Sequence, residues 1–237
     1  MFEIPSKYEM VQKVLFKDLI PNTLKPQERS KLKDNIKSVY LRYQIVGEDI
    51  PSLVNEKYNY TAIQIFDFEV KDVKHASYIA NIYQNLIKNP CILRIFDSKN
   101  EVYSFALKRL NQQDDTQIII TDFLISKVFP INALDIDKMN YLKTISFDEI
   151  MNKSNKKAFY QEMYLKNFIK TNNKLYQKIN FLLDKSFWYD EKKTIKILSK
   201  LKELENLKKK QSELHINIEK IKVQKQIKQI IDELEQY

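Results

Sequence analysis

The chain of 237 residues contains one glycine, one cysteine, one tryptophan and two histidines. Glycine-rich loops allow the backbone to approach a phosphate closely, and Gly47 alone cannot make such a loop. The composition therefore argues against a P-loop nucleotide hydrolase and against a dinucleotide-binding Rossmann domain. His75, His215 and Cys91 are too few for a zinc site of ordinary His/Cys spacing. A Ser-His-Asp or Cys-His triad would need one of these histidines, and both fit better as surface or packing residues.

Cys91 is alone, so the chain forms no intramolecular disulfide, which suits a reducing compartment. No apolar run approaches the roughly 20 residues that span a bilayer, and the N-terminal residues lack the apolar core of a signal peptide. The sequence predicts a cytoplasmic protein with no membrane partner.

Positive charge is unevenly distributed along the chain. Residues 1–150 contain 20 Lys and Arg against 20 Asp and Glu, whereas residues 151–237 contain 20 Lys against 11 Asp and Glu, which accounts for the whole net charge of +9. All six prolines also lie before residue 151. We therefore predict two domains, an α/β head domain over 1–150 and a basic helical hairpin or coiled-coil tail over 151–237.

The head alternates between helical and strand patterns. The spacing of Val11, Val14, Leu15 and Leu19 predicts a helix that ends at Pro21, and a second helix is expected after Pro26 with Leu32, Ile36 and Val39 on one face. Residues 75–89 are amphipathic and stop at Pro90. The strand predictions, from β-branched and aromatic content, are 39–46, 61–70, 91–96, 102–110 and 116–125. The predicted class is α+β, with a mixed sheet flanked by helices.

The tail has only helical periodicity. Residues 156–183 predict one helix, a turn is expected around Trp188, and the apolar steps of three and four from Glu191 onward predict one long coiled-coil-like helix. An apolar stripe of this kind needs a partner surface, which a helix within the chain, a second copy or a larger protein could provide.

Several strings along the chain resemble a known family. They are FEIP, DNIKSVYLRYQI, TAIQIFDFEVK, IYQNLIKNPCILRIF, YSFALKR and ITDF, followed by a Lys/Leu-rich C-terminal segment. Together they are similar to the uncharacterised bacterial family called domain of unknown function 4391. The resemblance implies a role beside DNA helicases and DNA methyltransferases in restriction-modification-like phage-defence loci, without specifying a reaction.

One group of residues in the head is typical of metal-dependent nucleases. Alternate residues of a strand share a face, so Asp67, Glu69 and Lys71 are expected on one side of the 61–70 strand and its end. Carboxylates in such sites hold Mg²⁺ and a lysine steadies the attacking water or the phosphate. Glu48 and Asp49 are possible further ligands. A strand that emerges into solvent gives the same pattern, so both interpretations stay open.

The tail carries a basic and aromatic pattern. Residues 153–210 contain 16 Lys against 6 Asp and Glu, with nine aromatic residues interleaved. Lysines bind phosphates with counterion release, and aromatic rings stack on exposed bases. The alternative is that the aromatics pack inside a helical hairpin and the lysines form its solvated face. The predicted phosphate contacts are Lys153, Lys156, Lys157, Lys166, Lys170, Lys174, Lys192, Lys193, Lys208, Lys209 and Lys210.

These observations lead to a ranked set of functional hypotheses. The first is a non-catalytic accessory subunit of a restriction-like defence system, which binds a helicase or methyltransferase partner and contacts DNA through its basic tail, without a cofactor. The alternative is an Mg²⁺-dependent, restriction-endonuclease-like nuclease that uses Asp67, Glu69 and Lys71. A protein-only scaffold is the second alternative. Self-association through the C-terminal helix is compatible with each of them.

Overall fold

A computed structural model describes residues 2–15, 18, 20, 24–131 and 134–237. The strands are β1 (Glu9–Lys13), β2 (Ile36–Ile45), β3 (Leu53–Val54), β4 (Asn59–Tyr60), β5 (Ile63–Val70), β6 (Cys91–Phe96), β7 (Asn100–Asn111), β8 (Asp114–Ile125) and β9 (Phe129–Pro130). The helices are α1 (Pro26–Asn35), α2 (Ala76–Leu86), α3 (Ile136–Thr144), α4 (Lys156–Thr171), α5 (Glu191–Glu213) and α6 (Asn217–Glu235). In the part of the chain described, no helix is long and apolar enough to cross a membrane.

The main sheet is mixed. Its strands lie in the order β1-β2-β5-β6-β7-β8, and β9 pairs with the start of β7. The pair β5 and β6 is parallel and is connected through α2, while the other pairs are antiparallel. Strands β3 and β4 form a separate small hairpin in the segment after Gly47, whose φ of +84° suits the residue without a Cβ.

The two faces of β5 have different environments. Phe66, Phe68 and Val70 point into the main apolar core, which also contains Ile79 and Tyr83 of α2. Ile63, Ile65, Asp67 and Glu69 lie on the opposite face, because side chains alternate along a strand. This second face carries the charged groups described below.

The predicted α+β class is confirmed, with a mixed sheet followed by helices alone. The amphipathic helix before Pro90 and the strands β5 to β8 lie close to the predicted ranges. Helix α3 has no counterpart in the prediction, although the carboxylate of Asp135 caps its first turn by accepting the Lys138 N–H at 2.7 Å.

The N-terminal helix prediction is wrong for Glu9–Lys13, which form β1. These residues hydrogen-bond to β2 and are all exposed. Strand pairing at the sheet edge therefore outweighs the weak apolar spacing that suggested a helix. Leu19 and Pro21 lie outside the described residues. In the second predicted helix, Ile36 and Val39 belong to β2 instead of α1.

The chain divides into two compact units, Met1–Asn167 and Phe168–Tyr237, so the boundary falls later than residue 150. The first part of α4 belongs to the first unit because of its buried contacts there. The Tyr160 hydroxyl donates to the Cys91 carbonyl at 2.7 Å and accepts from the Ala106 N–H at 3.2 Å. The Glu162 carboxylate accepts the backbone N–H groups of Met151 and Asn152 at 2.9 and 2.8 Å.

The second unit contains a helical hairpin in place of the predicted single long helix. Helix α5 ends at Glu213, Leu214 and Ile216 are extended, and α6 begins at Asn217. The two helices pack together and are joined by an ion pair between Lys200 and Glu233. The buried side chains of the pair repeat at steps of three and four and are Thr194, Ile197, Leu201 and Leu204 of α5 and Val223, Ile227, Ile230 and Leu234 of α6.

The helix predicted over 156–183 ends at Thr171. It is followed by two 3₁₀ segments, Ile179–Asp184 and Ser186–Tyr189. The turn expected around Trp188 is therefore present as the second of these segments.

Candidate nucleic-acid interface

Most lysines of α5 and α6 have exposed side chains on the hairpin. The buried stripe of each helix faces the other helix, so side chains between the stripe positions project into solvent. Over residues 168–237 there are 16 Lys against 10 Asp and Glu. The second unit therefore carries most of the net positive charge of the chain.

The eleven lysines predicted as phosphate contacts fall into three groups. Those with exposed side chains are Lys174, Lys192, Lys193, Lys209 and Lys210. Those of intermediate exposure are Lys153, Lys170 and Lys208. The buried ones are Lys156, Lys157 and Lys166. The eleven lysines therefore do not lie on one element. Seven belong to the second unit, and four belong to the first unit, namely Lys153, Lys156, Lys157 and Lys166.

Lys156 is fully buried and holds the segment after Gly47. Its ammonium group donates to the carbonyls of Gly47 and Ile50 at 2.9 and 2.6 Å and to the Ser52 hydroxyl at 3.3 Å. A buried cation that already satisfies its donors in this way has no donor left for a phosphate. Lys156 therefore stabilises the fold of the first unit.

Lys157 and Lys166 are also engaged inside the first unit. The Lys166 ammonium is 2.8 Å from Glu162 and 2.6 Å from the Glu149 carbonyl. Lys157 lies 4.5 Å from the ring centre of Tyr58, in a cation–π contact. The phosphate-contact hypothesis is consequently limited to the eight lysines with accessible side chains.

Sequence reasoning missed four exposed lysines on α6, which are Lys220, Lys222, Lys225 and Lys228. They lie in the first twelve residues of α6, after the turn that follows Lys209 and Lys210 in sequence. Over the whole of α6 the four lysines are balanced by four carboxylates, which are Glu219, Asp232, Glu233 and Glu235. Mapping charge by helix turn would have found them.

Asp67 and Glu69 share one face of β5, as predicted, but each is held by neighbouring basic or hydroxyl groups. Glu69 accepts from the Ser38 hydroxyl at 3.0 Å and lies 3.5 Å from Lys37. One Asp67 oxygen, Oδ2, lies 3.4 Å from Arg94 and 3.5 Å from Arg42.

The electrostatics around Asp67 are those of a buried ionic network. Burial raises the pKa of Asp67, against the lowering effect of Arg94 and Arg42, and its Oδ1 atom is buried without a hydrogen-bond partner. Arg94 also bonds to Glu101 at 2.6 Å. Burial acts to lower the pKa of Arg94, and the carboxylates of Glu101 and Asp67 outweigh it and raise that pKa.

The surroundings of β5 differ from those of a metal centre. On β2 the residues opposite Asp67 and Glu69 are Tyr40 and Ser38, so the neighbouring strand supplies no carboxylate there. Lys71 is exposed, and its backbone N–H bonds to the Asn35 carbonyl at 2.8 Å. Within the described ranges, no three His, Cys, Asp or Glu side chains are close enough to hold a metal ion.

The additional ligands suggested by sequence lie elsewhere. Asp49 is bound by Lys7 and by the Tyr8 hydroxyl, the latter at 2.7 Å. Burial and the Asp49 carboxylate raise the pKa of Tyr8 to about 12. Glu48 adjoins Asp49 on the exposed segment after Gly47, and neither residue belongs to the network around Asp67.

In a comparison with family models, residues 2–234 match the model of a domain of unknown function (DUF4391). The chain belongs to this family. Comparison with curated proteins and with solved structures gave no match. The DUF4391 match includes both units, so the sheet and the basic hairpin are parts of one family domain. Its description gives no reaction, and the functional assignment must come from the chemistry of the chain.

Proposed function

We propose that this protein is a non-catalytic accessory subunit that contacts DNA through the basic hairpin α5 and α6. The observation that carries the proposal is the set of exposed lysines around the hairpin turn, including Lys209, Lys210, Lys222 and Lys225. None of these four makes an ion pair with a described residue. Ammonium groups free of carboxylates can neutralise backbone phosphates and release counterions.

The proposed cellular setting is a restriction-modification-like defence system in which a helicase or DNA methyltransferase is the protein partner. This setting comes from the family resemblance of the sequence. The division of the chain supports separate tasks, because the first unit has its own core and the second carries most of the net charge. Pull-down with the helicase or methyltransferase encoded beside the gene tests the partner, and failure to recover either would contradict it.

The test of DNA contact compares two sets of substitutions with equal charge loss. The hairpin variant is Lys209→Gln, Lys210→Gln and Lys222→Gln, and the control variant is Lys33→Gln, Lys99→Gln and Lys143→Gln in the first unit. All six side chains are exposed. We expect the hairpin variant to weaken duplex DNA binding about tenfold or more at low salt, and the control to change it little.

Equal losses in the two variants would contradict a hairpin-specific contact. Absence of DNA binding by the wild-type protein at low salt would favour a protein-only scaffold. Substitution is preferable to deletion of residues 151–237, because such a deletion would remove the buried contacts of Tyr160 and Glu162 from the first unit.

The position of Asp67 and Glu69 on one face of β5 favours the nuclease alternative. The ion pairs of Asp67 with Arg42 and Arg94 argue against it. Incubation with plasmid and Mg²⁺ separates the hypotheses. Cleavage by the wild type that is lost in both Glu69→Ala and Lys71→Ala would establish the nuclease. If the plasmid stays intact both with and without the helicase encoded beside the gene, the nuclease alternative is rejected.

A further inference from the structure

The second unit contains a cavity beside an exposed aromatic ring. The volume of the cavity is about 190 Å³, and its apolar wall includes Tyr176, Phe181, Leu182 and Leu234. Phe181 is 60% exposed. Contact of this ring with water is unfavourable compared with burial, so a ligand that covered Phe181 would gain free energy from that contact.

The backbone determines the direction of Phe181. It lies in the 3₁₀ segment Ile179–Asp184, where residues three apart share a side. Ile179 and Leu182 are buried, which turns Phe181 outward. The Trp188 indole N–H donates to the Leu182 carbonyl at 3.1 Å and so fixes the segment.

Charged groups surround the mouth of the cavity. Lys178, Lys185 and Glu235 line it, and the Lys178 ammonium is 2.9 Å from the Glu235 carboxylate. Lys185 is of intermediate exposure. Two ammonium groups against one carboxylate favour a ligand that combines an anionic group with an apolar ring.

The size of the cavity suits a flat ring system. An apolar cavity of about 150 Å³ in another protein holds benzene, so about 190 Å³ is sufficient for a ring of nucleobase size. Bases of a single strand can leave the stack and pack on aromatic side chains beside a basic groove. The bases of a duplex are paired and are not available in this way.

We propose that this cavity binds one unstacked base of a single-stranded nucleic acid, with Phe181 as the stacking surface and Lys185 as the contact to the adjoining phosphate. The inference rests on the proposed function in that both take a nucleic acid as the ligand. It adds a preference for single strands and a site apart from the lysines at the hairpin turn.

The test measures binding of the full chain to labelled oligothymidylate and to a labelled duplex of the same length. The variants are Phe181→Leu and Phe181→Tyr, with Tyr189→Leu as the control, because Tyr189 is 69% exposed and does not line the cavity. Loss of one base–aromatic stack weakens single-strand binding by roughly fivefold to a hundredfold. We expect a loss of this size for Phe181→Leu only, and an unchanged duplex affinity for all three.

Unchanged single-strand affinity in Phe181→Leu would overturn the inference, and so would an equal loss on single strand and duplex. Absence of single-strand binding by the wild type would also overturn it and would leave the cavity open to an apolar protein ligand. Failure of the proposed function gives a different result from failure of this inference, because it would appear as absence of duplex binding by the wild-type protein. If the protein binds oligothymidylate in a Phe181-dependent way but does not bind duplex DNA, the proposal of this site is supported and the proposed hairpin contact is contradicted.

Discussion

At the scale of single residues, lysine in this chain has two different roles. Lys156 and Lys166 are buried and bind carbonyl or carboxylate oxygens, whereas Lys209 and Lys222 extend into solvent. Long cationic side chains are rarely fully buried unless their charge is compensated. The charges of Lys156 and Lys166 are compensated by internal oxygens, and this compensation makes both of them structural residues.

A first prediction concerns Lys156. Replacement by Met removes the ammonium donor to the Gly47 and Ile50 carbonyls and to the Ser52 hydroxyl, and the buried Ile50 carbonyl loses this hydrogen bond. We expect Lys156→Met to lower the free energy of unfolding by about 1–3 kcal/mol. Urea unfolding followed by circular dichroism measures it, with exposed Lys143→Met as the control. A loss no larger than in the control would contradict the structural role.

A second prediction concerns the pH dependence of Asp67. Its folded-state pKa is raised above the ordinary value of 3.8, chiefly by burial. The folded state therefore binds this proton at a higher pH than the unfolded state does, so protonation favours folding. We expect the free energy of unfolding of the wild type to rise relative to Asp67→Asn as pH falls from 7 toward 4. A difference that stays constant or falls over this range would contradict the raised pKa.

At the scale of elements, the terminal helices owe their stability to one buried stripe each. Ile227 is 3% exposed and lies on the stripe of α6, whereas Ile221 of the same helix is 58% exposed. Large-to-small substitutions are costly only where the side chain is buried. The hairpin therefore offers an internal comparison of two isoleucines of one helix, one buried and one exposed.

The third prediction uses this pair. We expect Ile227→Ala to lower the free energy of unfolding of the second unit by about 2–5 kcal/mol and Ile221→Ala to change it by less than about 0.5 kcal/mol. Fluorescence of Trp188, the single tryptophan, reports on the second unit alone. Similar effects of the two substitutions would contradict the packing of the hairpin.

Strands β5 to β8 of the sheet were predictable because each carries a local pattern. Residues 63–70 and 91–96 are rich in β-branched and aromatic side chains and are bounded by turn or proline signals. Strand β1 was not predictable in this way, because its five exposed residues are placed by pairing with β2 rather than by burial. The break at Leu214–Ile216 was missed because it contains neither glycine nor proline.

The site was less predictable than the fold. Spacing placed Asp67 and Glu69 on one face, but Arg42 and Arg94 come from strands distant in sequence, so their pairing with Asp67 depends on the sheet order. The burial of Lys156 was missed for the same reason, since the oxygens that bind its ammonium group lie more than 100 residues earlier.

At the scale of the whole molecule, net charge is unequally divided between the two units. Residues 1–167 contain 24 Lys and Arg against 21 Asp and Glu, and residues 168–237 contain 16 against 10. A surface on which ammonium groups outnumber carboxylates, as in the second unit, attracts polyanions through a field that salt screens. The proposed DNA contact should therefore be sensitive to ionic strength and only weakly dependent on sequence.

The most direct measurement is the affinity of the full chain for duplex DNA as a function of salt concentration. The account predicts that log K falls linearly with log[salt], and that Lys209→Gln, Lys210→Gln and Lys222→Gln together reduce the slope by up to about 3, while the matched control variant does not. A slope that is the same in both variants, or no binding at low salt, would contradict it.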